Sequence, residues 1–208
     1  MNNKYREFFN TDEVNNWVDK NYTKWLEKIK IERYHMENND IGNLLYGYCG
    51  NLSELYNKIL RGFSVKCEDD KLKEVLNRIE IINNEILKHR LNENIIVYRA
   101  TYKNLLKCFN AGKKVKSGDT FVDKAFVSTS LLLDCAIEFS SSYKCDSILK
   151  LYLPKGIPGV YIKFDYKLSK LEESEFLLPK GCTFVVKKKY FNFKYWKTIY
   201  ECDVILSK

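Results

Sequence analysis

Apolar residues recur at helical spacing through the first part of the chain and give way to short β-rich runs after about residue 93. Val14, Trp17, Val18, Trp25, Leu26 and Ile29 mark one helical stripe, and Asn10 with Glu13 supplies a capping box at its start. Leu52, Leu55, Tyr56, Ile59 and Leu60 mark a second stripe, and Leu72, Val75, Leu76, Ile79, Ile82 and Leu87 a third. Such stripes predict core faces, the tryptophans included. The β-rich runs are IIVYR (95–99), FVSTS (126–130), ILKLYLP (148–154), GVYIKF (159–164), EFLLP (175–179), TFVVKKKYF (183–191) and TIYECDVIL (198–206). Gly- and Pro-containing turns separate them, notably Ser117-Gly118-Asp119, 154–159 and Pro179-Lys180-Gly181. One further helix is expected near Asp134 to Ser140. Helices first and strands afterwards predict a single α+β domain over 1–208, with a mainly helical part (1–92) and a mainly β part (93–208), rather than βαβ winding.

Composition narrows this picture only a little. The 208 residues, 45% hydrophobic and 30% charged, suffice for one core without disulfides. No apolar stretch approaches membrane-spanning length, and the start MNNKYREFFNTDEV lacks the apolar centre of a signal peptide. The expectation is a soluble monomer made in the cytoplasm, with delivery into a target-cell cytosol left open. Seven scattered cysteines without a CxxC pair, and only two histidines, predict free thiols in a reducing compartment and no metal. The net charge of +8 attracts something acidic, whether phosphate, nucleic acid or protein. Lys187-Lys188-Lys189 reads as an exposed strand end.

Several chemistries lack their motifs. There is no GxGxxG or GxxxxGK[ST] phosphate loop, no HExxH and no GxSxG, and neither histidine accompanies an obvious nucleophile. Three polar groupings remain at the edges of apolar runs: Arg99, Ser128-Thr129-Ser130 and Glu173-x-Glu175. Singly, each has an ordinary explanation. An arginine ending a strand reaches water, a Ser/Thr triplet caps a helix, and acidic residues solvate a loop.

In this order and with these flanks, VYRA (97–100), FVSTS (126–130) and ESEFLLPKG (173–181) resemble the Arg, Ser-Thr-Ser and Glu-x-Glu motifs of the bacterial ADP-ribosyltransferase exoenzymes. The subgroup resembled comprises C3-like toxins and the enzymatic subunits of actin-modifying binary toxins. ILKLYLPKGIPGVYI (148–162), LYNKILRG (55–62) and NNWVDKNYTKWLEKI (15–29) extend the resemblance over most of the chain. It implies N-terminal helices packed on a two-sheet β core with an NAD cleft, and a mono-ADP-ribosyltransferase that uses NAD as co-substrate and no metal.

By that resemblance Arg99 holds NAD phosphate with Arg61 and Asn57, a task suited to a permanently charged, forked donor. Ser128 lines the nicotinamide-ribose pocket and steadies Glu175, Thr129 and Ser130 shape the strand edge, and Phe139 packs on the nicotinamide side. Glu175 stabilises the oxocarbenium-like ribose, and Glu173 approaches the acceptor, sharing a face with Glu175 if the segment is extended. A Glu at position 173 implies arginine on a target protein as acceptor, because a carboxylate orients a guanidinium and eases its proton loss. The alternatives are another side chain, a small molecule, a nucleic acid (which no aromatic–basic RNA motif supports), or a non-catalytic binding module. The sequence departs from the resembled pattern at Ala100, Ala125, Ser142 and Lys170, and in a longer loop before Glu173. These departures count against actin as the target.

Overall fold

In the computed structural model the described residues are 4–31, 33–35, 38–66, 68–164 and 174–206. Helix α1 spans Thr11–Ile29 and starts as its sequence predicts. Asn10 Oδ1 accepts from the Glu13 amide at 2.9 Å, while the Glu13 carboxylate turns back to accept from the Phe9 amide at 3.0 Å. Its buried stripe is Val14, Trp17, Val18, Tyr22, Trp25 and Ile29. Two indoles tie that stripe to the β part: Trp17 Nε1 donates to Glu93 and Trp25 Nε1 to the Tyr161 carbonyl, both at 2.8 Å.

Helix α2 (Ile41–Gly47) runs into a π-helical turn at Tyr48–Leu52, followed by α3 (Ser53–Leu60) and α4 (Asp69–Ile86). Gly42 lets α2 lie against the end of α1, since a Cβ there would sit 2.4 Å from the Ile29 carbonyl oxygen. The short α2 has too few periodic positions to register as an amphipathic pattern, and it escapes sequence reading.

The β part comprises β1 (Ile95–Thr101), α5 (Lys103–Phe109), β2 (Thr120–Asp123), β3 (Val127–Ser130), α6 (Leu133–Ser142), β4 (Ser147–Leu153), β5 (Val160–Ile162), β6 (Glu175–Leu178), β7 (Cys182–Asn192) and β8 (Lys197–Leu206). All seven predicted strands are present; β2 and α5 are additional. The strand order is β2-β7-β8-β4-β1-β3-β6-β5, antiparallel except for the β4–β8 pair.

The expected two sheets therefore appear as two parts of one hydrogen-bonded sheet. A five-stranded part (β2 to β1) and a three-stranded part (β3, β6, β5) meet through a single register pair, Tyr98↔Ser130. On one side of that seam the N-terminal segment inserts itself. Arg6 bridges to Ile95 and Phe8 to Leu132, with the Ile96 amide donating to the Arg6 carbonyl at 2.8 Å. The core between helices and sheet is aromatic-rich, with Trp17, Tyr48, Tyr56, Phe126 and Phe176 fully buried.

Among the described residues no helix is long and apolar enough to cross a membrane. The six described cysteines are free, and burial raises the Cys182 and Cys202 thiols to about 12.

Candidate active site

On the other side of the seam, β1 and β3 line a cavity of about 550 Å³. Tyr98, Arg99 and Ala100 of β1 and Ser128, Thr129 and Ser130 of the neighbouring β3 line it. The π-helical turn and α3 contribute Tyr48, Gly50 and Asn57, α6 contributes Cys135 and Phe139, and Glu175 stands at the start of β6. The β3–β6 register explains how Ser128 and Glu175, 47 positions apart in the chain, come together. Ser130 pairs with Glu175 and Ser128 with Leu177. The Ser128 hydroxyl donates to Glu175 Oε1, and Arg99 Nη1 donates to the Ser128 carbonyl at 2.7 Å. Arg99, Ser128 and Glu175 thus form one connected chain of hydrogen bonds across the seam.

The other two residues of the triplet secure that chain from behind. Thr129 Oγ1 donates to the Phe176 carbonyl at 2.5 Å, pinning the residue next to Glu175, and Ser130 Oγ accepts from the Leu132 amide at 3.1 Å. On the opposite wall Asn57 Nδ2 donates to the Tyr48 hydroxyl at 3.2 Å. Its Oδ1 is buried with no hydrogen-bond partner among the described residues, leaving an acceptor for a ligand. Phe139 stacks on Tyr143 with centroids 4.3 Å apart, and both rings are largely exposed at the cavity rim.

Burial pulls the Arg99 pKa below the usual arginine range, an effect countered by the nearby Asp123 carboxylate. Burial likewise raises the Tyr48 phenol, so it stays neutral, and the Glu175 charge acts in the same direction. The cavity therefore presents a cation, a positioned carboxylate and neutral donors. Such a set suits a ligand with a phosphate group and a centre that develops positive charge.

Comparison with known families matches residues 14–198 to the family described as ADP-ribosyltransferase exoenzyme. The chain belongs to that family. A curated relative, the NAD(+)--arginine ADP-ribosyltransferase EFV of Enterococcus faecalis, is 29% identical over 167 residues. That alignment covers 79% of this chain and 30% of the relative, so the chain spans under a third of that protein's length.

Solved exoenzymes share the fold. The ADP-ribosylating toxin BECa of a C. perfringens binary enterotoxin, solved with NADH, superposes with a TM-score of 0.73 at 20% identity. It covers 97% of this chain and 50% of its own. C3stau2 from S. aureus, solved with NAD, gives 0.69 at 20% identity, covering 98% and 100%.

Against the exoenzyme pattern, Arg99, Ser128, Thr129, Ser130, Asn57, Phe139 and Glu175 all line the one cavity. Arg61 does not. Its Nε and Nη2 bind Asp123 Oδ1 and Oδ2 at 3.0 and 2.8 Å in a bidentate pair, with side chains only 11% and 4% exposed. Asp123 also accepts from the Ala125 amide at 3.0 Å, so the pair ties α3 to the loop that leads into β3. Sequence reading missed Asp123, and nothing local marks it. Its significance depends on an arginine 62 positions away.

Glu173 lies outside the described residues, as does Lys170. Ser174 bears on the expectation that Glu173 and Glu175 share a face. It is buried with φ 41, so extended geometry begins at Glu175 and does not run back through residue 174. A serine held in the left-handed region immediately before Glu175 is a point of local backbone strain. Its carbonyl accepts from the Leu131 amide at 3.0 Å, which fixes the turn. Among the described residues no cluster of three or more His, Cys, Asp or Glu is arranged to hold a metal ion.

Proposed function

We propose that this exoenzyme-family chain is a mono-ADP-ribosyltransferase. It cleaves NAD at the nicotinamide–ribose bond and transfers ADP-ribose to an arginine of a target protein, as a toxin or effector. The observation that carries the reading is the Arg99–Ser128–Glu175 chain of hydrogen bonds facing one cavity. The acceptor is argued from the Glu at position 173 and from the name of the E. faecalis relative.

The residues present fit NAD. Among the described residues only one guanidinium N–H of Arg99 is engaged, so its fork keeps donors for the diphosphate. The unpartnered Asn57 Oδ1 accepts from a ligand N–H or hydroxyl. The Phe139–Tyr143 pair offers an aromatic face at the rim for a flat heterocycle.

Glu175 accepts from the ribose 2′-hydroxyl and stabilises positive charge on the anomeric carbon as the C–N bond to nicotinamide breaks. Nicotinamide leaves with the bonding electron pair. An acceptor nitrogen then forms the new bond to that carbon and loses its proton, a step assigned to Glu173. Ser128 acts through Glu175 by donating to it, which holds the carboxylate in place. Without a protein target, water attacks the same carbon and the reaction ends as slow NAD hydrolysis.

The test is nicotinamide release from NAD by the purified chain. Glu175→Gln preserves size and removes the charge, and is expected to lower the rate about 10²–10³-fold with little change in Tm. Near-unchanged turnover would remove Glu175 from the chemistry. The acceptor assignment needs a paired assay. Glu173→Gln is expected to keep most NAD hydrolysis while losing ADP-ribose incorporation into agmatine or lysate protein. Full transfer in that variant would point to an acceptor other than arginine.

A further inference from the structure

The β7–β8 hairpin carries a feature that the active site does not use. Asn192 pairs with Lys197, and the turn between them holds Phe193, Lys194, Tyr195 and Trp196. Phe193 is 77% exposed and Trp196 73%, the most exposed tryptophan of a chain whose Trp17 and Trp25 are buried. With Phe191 they form a closed knob. Centroid distances are 5.1, 5.4 and 6.3 Å, and all three contacts are edge-on at 71–81°.

The knob is held rigidly. Asn192 Oδ1 accepts from the amides of Lys194 and Tyr195 at 3.0 and 3.3 Å, closing the turn. Trp196 sits at φ 56, a left-handed conformation unfavourable for a bulky residue. Glycine or asparagine at 196 would relieve this strain and reduce the exposed apolar surface.

Charge supplies the second observation. Residues 187–197 contain five lysines and no Asp or Glu. Lys187 is neutralised by Asp203 at 2.7 Å, Lys189 donates to the Val115 carbonyl at 2.9 Å, and Lys197 donates to the Cys145 carbonyl at 2.5 Å. Lys194 lies over the Tyr195 ring within the turn and, like Lys189 and Lys197, has no carboxylate opposite it, whereas Lys188 lies over Tyr190 further back on β7, in register with Glu201.

We propose that this hairpin tip docks on an anionic phospholipid bilayer, with Phe193 and Trp196 entering the headgroup–acyl boundary and the lysines resting on the acidic headgroups. The inference is independent of the NAD chemistry. A convex knob fits a deformable apolar layer, and aromatic rings flanked by lysines are the usual anchors at that depth. Single-stranded nucleic acid would need rings spaced along a groove so that successive bases stack, whereas these three are clustered edge-to-face at one hairpin tip.

The experiment uses the full chain with vesicles of phosphatidylcholine alone or with about 30% phosphatidylserine, a fraction chosen to give a strongly negative surface. Trp196 dominates the solvent-exposed tryptophan emission, because Trp17 and Trp25 are buried. Co-sedimentation with the charged vesicles and a blue shift of that emission are expected, with quenching by brominated acyl chains. Phe193→Ser/Trp196→Asn is expected to bind at least about tenfold more weakly, given the apolar area removed, while retaining its circular-dichroism spectrum and nicotinamide release. Lys194→Gln should weaken the preference for charged vesicles yet keep the blue shift at high lipid.

Charged-vesicle binding without a blue shift, or equal binding by the aromatic variant, would overturn the insertion. Tighter binding to a single-stranded oligonucleotide than to the vesicles would overturn the choice of partner.

Discussion

Arg99 illustrates what can and cannot be read at a single position. Its guanidinium donates to the Ser128 carbonyl and is partly desolvated, so it serves the structure as well as any phosphate. Arg99→Lys keeps the charge but loses the forked geometry. NAD affinity measured by calorimetry is expected to fall at least about tenfold, which corresponds to roughly 1.4 kcal/mol. Asp123 makes a different demand. Replacing it with Asn leaves Arg61 without its bidentate partner in a mostly buried setting, and a loss of about 3 kcal/mol in denaturant unfolding is expected. Arg99 in VYRA, the triplet in FVSTS and Glu175 ahead of FLLPKG were legible because each belongs to a short motif with distinctive neighbours, whereas Tyr48, Gly50 and Cys135 line the same cavity without such a signal. Arg61 stood in a recognisable string too, yet its engagement with Asp123 is a tertiary fact that no local spacing encodes. The conformation of Ser174 was equally hidden, since a serine carries no signal for a positive φ.

Among the elements, α1 and α4 meet through charges that make the fold sensitive to acid. Burial pushes the Glu85 carboxyl upward, but hydrogen bonds and attraction from Lys28 and Lys88 outweigh it and hold the folded-state pKa at about 2, against an ordinary 4.5. A depressed carboxylate contributes stability above its unfolded pKa and loses it as pH falls through the folded one. Between about pH 4.5 and 2, therefore, this pairing should be titrated away. Glu85→Gln is expected to unfold more easily than the parent at pH 7, by about 1 kcal/mol once solvent screening of the exposed lysines is allowed for. The two proteins should converge near pH 2 when followed by circular dichroism. The α1 and α4 helices and every long strand announced themselves through period and length. The seven-residue helices α2 and α5 did not, because two turns hold too few repeats for a periodicity to stand out. For α2 the decisive residue is a glycine. Gly42→Ala should destabilise the chain by more than about 1 kcal/mol, because the added methyl meets the Ile29 carbonyl rather than open space.

Across the whole molecule, the order of helices and strands foretold the α+β architecture, while the continuity of the sheet could not be foreseen. Strand pairing at β1–β3 depends on which backbone groups find one another, and Tyr98↔Ser130 alone does so in register. A sheet joined by one pair is mechanically weak along that line. On one side the N-terminal segment acts as a shim. On the other, the arginine side chain reaches over to the Ser128 carbonyl. A dinucleotide lying across this opening would act as a splint. Amide hydrogen exchange around 98–101 and 127–130 should slow when it is added, more than in the β7–β8 ladder, which is already continuous. The line along which this protein would tear most easily is also the line its substrate would seal.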